Sequence, residues 1–314
     1  MKRKEGFTLL EMLVVIGIIA ILGGVMLAQF SGSTESALAT SCMNNMRTLC
    51  NAVQADGSKE SYYPAAGPYQ YLYLNQETGK KSEPWFQGWI GHAKGESKVS
   101  CYTSSGADVD SDQHYAITNG TVWRGMSGNY SAYVCPSHVK YCKRGKLPSP
   151  AWSYVMNSYF GWDRGKTEGS IELGRRPYGG GFFTFKYKSS PTSRKRPLEK
   201  VLLFAEIPYA ENGVQKPNYS SSASENNDSI LQYAADSNED TKYDKTGSSS
   251  GEVIGFNHKT GNNYSAHVAF ADGHCAKLMM PIRADEGNLR ELTTWLCTGQ
   301  EYTFNGTRYE SVSE

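Results

Sequence analysis

From Phe7 to Ala28 the chain runs for 22 residues with a single charged side chain, Glu11. As a helix rising 1.5 Å per residue this stretch is ~33 Å long, enough to cross a hydrocarbon core of ~30 Å. A carboxylate at the centre of such a span costs about 2.5–3.5 kcal/mol, and less near its edge. A plain anchor gains nothing from that acid, whereas a subunit needing one specific partner for the charge does. Lys2, Arg3 and Lys4 precede the span and hold the N-terminus on the cytoplasmic side. Two plainer readings compete. A secretory signal would have a shorter apolar core and a small-x-small site after it, for which Met26-Leu27-Ala28 is a poor candidate. An uncleaved membrane anchor would use the span but leave Glu11 without a purpose.

Gly6-Phe7-Thr8-Leu9-Leu10-Glu11 resembles the leader-peptidase site of type IV pilins and type II secretion pseudopilins, and the likeness covers residues 2 to about 30. The resemblance implies cleavage after Gly6, N-methylation of the new N-terminal Phe7, and a role for Glu11 in assembly. It also implies a prepilin peptidase/methylase, other pilin-like subunits and the inner membrane as partners. The physics agrees. Cleavage places a positive amine at the end of an apolar rod, where it can pair with Glu11 of a neighbouring copy. In low dielectric such a pair resists misregister, although its net stabilisation over apolar contacts is small.

Composition bounds the remainder. The net charge is +1, and removing Met1–Gly6 leaves 29 basic against 30 acidic side chains, so no basic surplus points to nucleic acid. With 21 Tyr, 6 Trp and 32 Gly, the body suits strands and loops better than a helical bundle. All seven cysteines follow the span, on the oxidising side if the N-terminus is cytoplasmic, where disulfides form. Cys42 and Cys50 are eight residues apart on a predicted helix, about 12 Å along its axis, too far to pair with each other. Cys135 and Cys142, closing a short Pro-Ser-His-Val-Lys-Tyr loop, are the best local pair, and the odd total leaves one thiol over. Zinc is the alternative use, but the spacings match no finger or ribbon.

Leu38, Cys42, Met46, Leu49 and Val53 recur at steps of four, four, three and four, which continues the helix beyond the span until Asp56-Gly57-Ser58 ends it. Gly23-Gly24 would permit a bend. The expected fold is α+β, a long N-terminal helix, membrane-spanning in its first half, packed on a C-terminal antiparallel-sheet domain. The segments are a leader at 1–6, an assembly helix at 7–29, its periplasmic continuation at 30–57 and a β-rich domain at 58–314. Tyr62-Tyr63-Pro64 and Trp85–Ile90 would cover a sheet or line a glycan-binding groove. Tyr130–Ser137, Ser153–Asn157 and Val201–Glu206 read as strands, and the Ser-, Asn- and Asp-rich stretch 218–251 as a loop insertion.

At the C-terminal end, Asp272-Gly273 between two short alternating runs is a hairpin signature of the type I′ turn. With His258, Cys135-Pro136-Ser137 and Ser153-Tyr154-x-Met156-Asn157, this tail resembles large pilin-like proteins with a His, spacer, Asp-Gly ending, abundant in planctomycete and verrucomicrobial bacteria. Their spacer is shorter, so the thirteen residues between His258 and Asp272 imply an insertion near Gly261-Asn262-Asn263. His258, His267, Asp272 and His274 offer metal ligands or an acid/base set, Ca²⁺ near Asp272 included, but hairpin structure explains them as well. No nucleophile elbow, phosphate loop or triad signature is present. The expected function is a pilin-like subunit, not an enzyme and without a cofactor. It would join a type IV pilus or type II secretion pseudopilus, with a single pass through the bacterial inner membrane and its globular domain on the periplasmic or extracellular side. The alternative is a glycan-binding or hydrolytic surface module exported through a pilin leader.

Overall fold

The computed structural model describes residues 8–60, 63–64, 66–67, 69–74, 81–82, 85–94, 99–102, 111–158, 160, 172–175, 197–217, 219, 228–231 and 252–312. The leader, Phe7 and most of 218–251 lie outside them. Helix α1 (Leu9–Glu60) is one run of 52 residues, about 78 Å long. Its backbone stays helical through Gly23-Gly24, and it continues past Asp56-Gly57-Ser58. A glycine costs a helix interior only ~1 kcal/mol, so the stop signal at Gly57 is overridden. Among the described residues no helix is long and apolar enough to cross a membrane. The apolar run whose side chains are described extends from Leu9 to Leu22, and those of 23–33 fall outside the set.

After α1 come β1 (Tyr69–Leu74), β2 (Lys81–Ser82) and β3 (Trp85–Phe86), then α2 (Ser111–Asn119) and two 3₁₀ turns, Thr121–Met126 and Tyr130–Tyr133. Next are α3 (Pro136–Gly145), β4 (Tyr154–Asn157), β5 (Glu172–Arg175), β6 (Leu202–Glu206), β7 (Ile230–Leu231) and β8 (His258–Thr260). The chain ends with β9 (Asn263–Phe270), β10 (Cys275–Met279), α4 (Glu286–Thr298), β11 (Tyr302–Phe304) and β12 (Tyr309–Ser311). The main sheet has the order β10-β9-β6-β4-β7, with β8 also paired to β9. Its pairs are antiparallel except β4 with β7, so the expectation of an antiparallel sheet is corrected at that edge, where Ile230–Leu231 of the expected loop insertion joins as a strand. A smaller sheet joins β1, β2, β3 and β5.

One face of this sheet is covered by the second half of α1. Cys42, Met46, Leu49 and Val53 are fully buried, Leu38 only partly, and Cys50 and Ala52 widen the stripe. Asn45 fastens the helix laterally, its side-chain amide donating to the carbonyls of Ser131 (3.1 Å) and Val134 (3.0 Å). Trp89 and Ile90 are buried in the core, and the Tyr63 hydroxyl donates to the Ala271 carbonyl at 2.7 Å, so these residues pack and line no groove.

Two local expectations are overturned. The alternation at 130–137 forms a 3₁₀ turn and the start of α3, because Pro136 at the first helical position, Lys143 and Arg144 in the last turn, and Lys146 in the left-handed conformation suit a helix. The β9–β10 hairpin forms, but without a type I′ turn. Only Gly273 has positive φ (95°), its N–H bonds the Phe270 carbonyl (2.9 Å), and Phe270 N–H bonds the His274 carbonyl (2.9 Å). This is the three-residue loop with glycine in the left-handed position.

Candidate functional site

The described stem begins with a capping box. Thr8 N–H and its hydroxyl both donate to Glu11 Oε2 (2.7 and 2.8 Å), and Glu11 N–H returns to Thr8 Oγ1 (3.3 Å). In the single chain Glu11 is therefore spent on its own helix end. Every side chain from Leu9 to Leu22 is exposed, the large apolar ones between 47% at Val15 and 82% at Leu9. An apolar surface on all sides of a helix demands lipid or other helices around it.

A second constellation lies where α1 crosses the sheet. Strand β9 shares one edge between two partners, β6 along Val268–Phe270 and β8 along Asn263–Ser265. The end of β6 and the start of β8 thus meet, bringing Glu206 and His258 together. Tyr154 is the register partner of Glu206 across β4 and β6 and turns to the same side, toward Cys42 of α1. Cys135, the N-cap of α3, closes the group. Ligand-type atoms of Cys42, Cys135, Glu206 and His258 all lie within 4.8 Å of one another, and all four residues are buried. Glu206 Oε1 accepts from the Cys42 thiol and lies 2.7 Å from His258 Nε2, while His258 Nε2 is 3.8 Å from Cys135 Sγ. Tyr154 OH lies 3.2 Å from Cys42 Sγ, and Tyr209 OH 3.7 Å from Cys135 Sγ. His267 stacks on His258 (4.2 Å, 29°) with its Nδ1 4.0 Å from Glu206 Oε1. The Nδ1 atoms of His258 and His267 are buried without hydrogen-bond partners among the described residues.

A carboxylate in a dry interior is costly unless paired. Burial alone would raise the Glu206 pKa, yet the charge and hydrogen bond of His258 bring it down to about 2. Burial would lower His258, but Glu206 and Cys135 lift it to about 10. The thiols divide. Burial, the contact with Cys135 and the charge of Glu206 push Cys42 well up, whereas Cys135 resists burial through Cys42 and His258 and falls to about 7. Cys42 is the protonated thiol of the group, and Cys135 the one closest to thiolate.

Of the sequence candidates, His258 enters this cluster and His267 lies buried behind it, not at an exposed strand end. Asp272 and His274 form a separate, partly exposed turn in which Asp272 Oδ1 accepts from His274 N–H (3.1 Å) and faces its Nδ1 (2.6 Å). Asp272 belongs to no group of three or more ligand-type His, Cys, Asp or Glu side chains among the described residues. The Cys135–Cys142 pairing is corrected. The two sit at the N-cap and near the end of one helix, about 10 Å apart along its axis, beyond the ~6.8 Å that a disulfide spans. Sequence reasoning missed Cys42 and Glu206 as site residues. The one available signal was an acid closing the apolar run Val201–Ala205.

His138, beside the cluster on α3, stacks on Tyr209 (4.2 Å, 7°). It shares hydrogen bonds with Ser153 Oγ (2.8 Å) and Tyr102 OH (3.2 Å). Burial drives its pKa down to about 3 against the opposing pull of Glu206. Below the unfolded value near 6.5 the unfolded chain binds a proton that the folded chain refuses. Stability from this group is therefore complete above 6.5 and lost as pH falls toward 3. At pH 5 the loss is about 2 kcal/mol. His138→Gln is expected to shrink the drop in unfolding free energy between pH 7 and pH 5 by that amount in urea titrations of the full chain in detergent. Equal drops in both proteins would show that His138 does not stay neutral in the fold.

Residues 1–27 match the family model described as the prokaryotic N-terminal methylation motif. No curated protein and no solved structure matches the chain. The motif supports a pilin-like substrate of the prepilin peptidase and a structural subunit rather than an enzyme.

Proposed function

We propose that the chain is a pilin-like subunit whose work is assembly. The prepilin peptidase/methylase cuts after Gly6 and methylates Phe7. The first half of α1 then holds the subunit in the inner membrane, with the sheet domain on the outer side, until the stem packs among other stems in a type IV pilus or type II secretion pseudopilus. One observation carries this reading: the methylation motif at residues 1–27 opens a stem whose apolar side chains are uncovered from Leu9 to Leu22. Uncovered apolar area favours burial at roughly 25 cal/mol per Å², so lateral packing of stems supplies the drive. Glu11 supplies selectivity, because a misaligned neighbour leaves a carboxylate without a charge partner in low dielectric.

The deciding measurement is the mass of the N-terminal peptide of the chain extracted from native membranes. The expected peptide begins at N-methylated Phe7. A peptide retaining Met1–Gly6 would remove both the processing step and the free amine that Glu11 is proposed to meet.

A further inference from the structure

We propose that Cys42, Cys135, His258 and Glu206 form a closed structural site for one Zn²⁺ ion that fastens the stem to the sheet. The donor set is two sulfurs, one imidazole nitrogen and one carboxylate oxygen, all within 4.8 Å and all buried. Zinc takes four such ligands tetrahedrally at about 2.0–2.3 Å, which sets donor-to-donor edges of about 3.3–3.8 Å. The Cys135–His258 edge is already 3.8 Å, whereas the proton-bridged His258–Glu206 edge, at 2.7 Å, opens by less than about 1 Å. Thiols exclude calcium and magnesium, which require oxygen ligands. With all four donors buried there is no open position for a substrate, which marks a structural rather than a catalytic site.

Among the four donors, protons occupy the places where metal bonds would form. The Cys42 thiol donates to Glu206, and His258 Nε2 lies between Glu206 and Cys135. Loading replaces these protons. Zn²⁺ with two thiols, an imidazolium and a carboxylate gives a complex of net charge −1 and three released protons, one fewer where Cys135 is already thiolate. His267, whose buried Nδ1 is unpartnered among the described residues and 4.0 Å from Glu206 Oε1, is in place to donate to the carboxylate once it turns to the ion. The four ligands come from α1, the α3 N-cap, β6 and β8, so one ion ties the helix that carries the assembly motif to both layers beneath it.

The test uses the full chain purified in detergent under reducing, chelator-free conditions, with zinc per chain measured by elemental analysis. One ion per chain is expected. Cys135→Ser and His258→Gln should each lower zinc retention by at least about tenfold, and His274→Ala should leave it unchanged. To keep the test independent of how the variants fold, the wild-type chain is also stripped of metal and titrated with Co²⁺. Thiolate-to-cobalt charge-transfer bands and intense tetrahedral d–d bands are expected, with Cys42 and Cys135 protected from alkylation and Cys297 unaffected. Three results would overturn the proposal: reduced wild-type chain that gives no zinc and no cobalt bands, equal substoichiometric metal in every variant, or a Cys42–Cys135 disulfide in the native protein. None of these readouts depends on cleavage after Gly6, so the site and the assembly reading stand or fall separately.

Discussion

Glu11→Ala is expected to leave the unfolding of the sheet domain unchanged while removing the subunit from filaments. Among the described residues the partners of the carboxylate are the backbone N–H and hydroxyl of Thr8, neither of them in that domain. Losing the capping box costs about 0.5–2 kcal/mol of helix stability, confined to the first turn. Assembly differs because, on the proposed function, the charge would meet another chain's amine within an apolar surrounding, where an unpaired ion costs several kcal/mol. Glu11→Gln separates the two roles. Glutamine serves the capping box as well as glutamate does but carries no charge. If charge pairing governs recruitment, Gln fails in filament incorporation as Ala does, read as the fraction of tagged subunit in sheared filaments. Wild-type incorporation of Glu11→Gln would reduce Glu11 to a helix cap.

Trp89→Ala is the substitution expected to damage the domain most, by about 3–5 kcal/mol. The indole is fully buried, meets Phe204 edge-on at 4.9 Å, stacks on Tyr133 at 5.9 Å, and donates from Nε1 to the Ser229 carbonyl at 2.8 Å. It therefore joins β6 to the 3₁₀ turn at 130–133 and to the segment leading into β7. Neighbouring Gly88 lets the backbone at Gly67 pass close by, because a Cβ there would lie 2.3 Å from the Gly67 carbonyl carbon. Against a total stability of about 5–15 kcal/mol the loss is about a fifth or more. Trp89→Phe keeps most of the apolar volume and leaves the Ser229 carbonyl still accepting from Met156 N–H at 3.0 Å, so the lost hydrogen bond costs only about 0.5–1.5 kcal/mol. Urea unfolding followed by circular dichroism measures both, and a cost below ~1 kcal/mol for the alanine variant would mean that the site collapses around the missing ring.

Much of this architecture was readable in the residues. The four-four-three-four spacing from Leu38 to Val53, the strand-forming runs at 153–157 and 201–206, and the Asp-Gly hairpin are all local signals, and each forms the expected element. Helix α3 was legible only against its own alternation, through Pro136 and the basic last turn. Helix α4 carries clear signals too. Asp285 caps Asn288 N–H at 2.8 Å, and Gly299 at φ 70° closes the other end. The buried cluster is another matter. Cys42, Cys135, Glu206 and His258 lie more than fifty positions apart along the chain, and only the shared edge of β9 makes them neighbours. Spacing rules for zinc fingers depend on ligands close in sequence, so a site assembled by sheet topology is invisible to them. Three segments behind the second resemblance, Cys135-Pro136-Ser137, Ser153–Asn157 and His258, do converge there.

The unbroken run of α1 from an uncovered tip to a covered base has a mechanical consequence. A pull along the rod loads its grip on the domain in shear, so Cys42, Met46, Leu49 and Val53 must all slip across the sheet at once instead of peeling away in turn. A hinge in mid-helix would have converted the same pull into a zipper, opening one turn at a time under far less force.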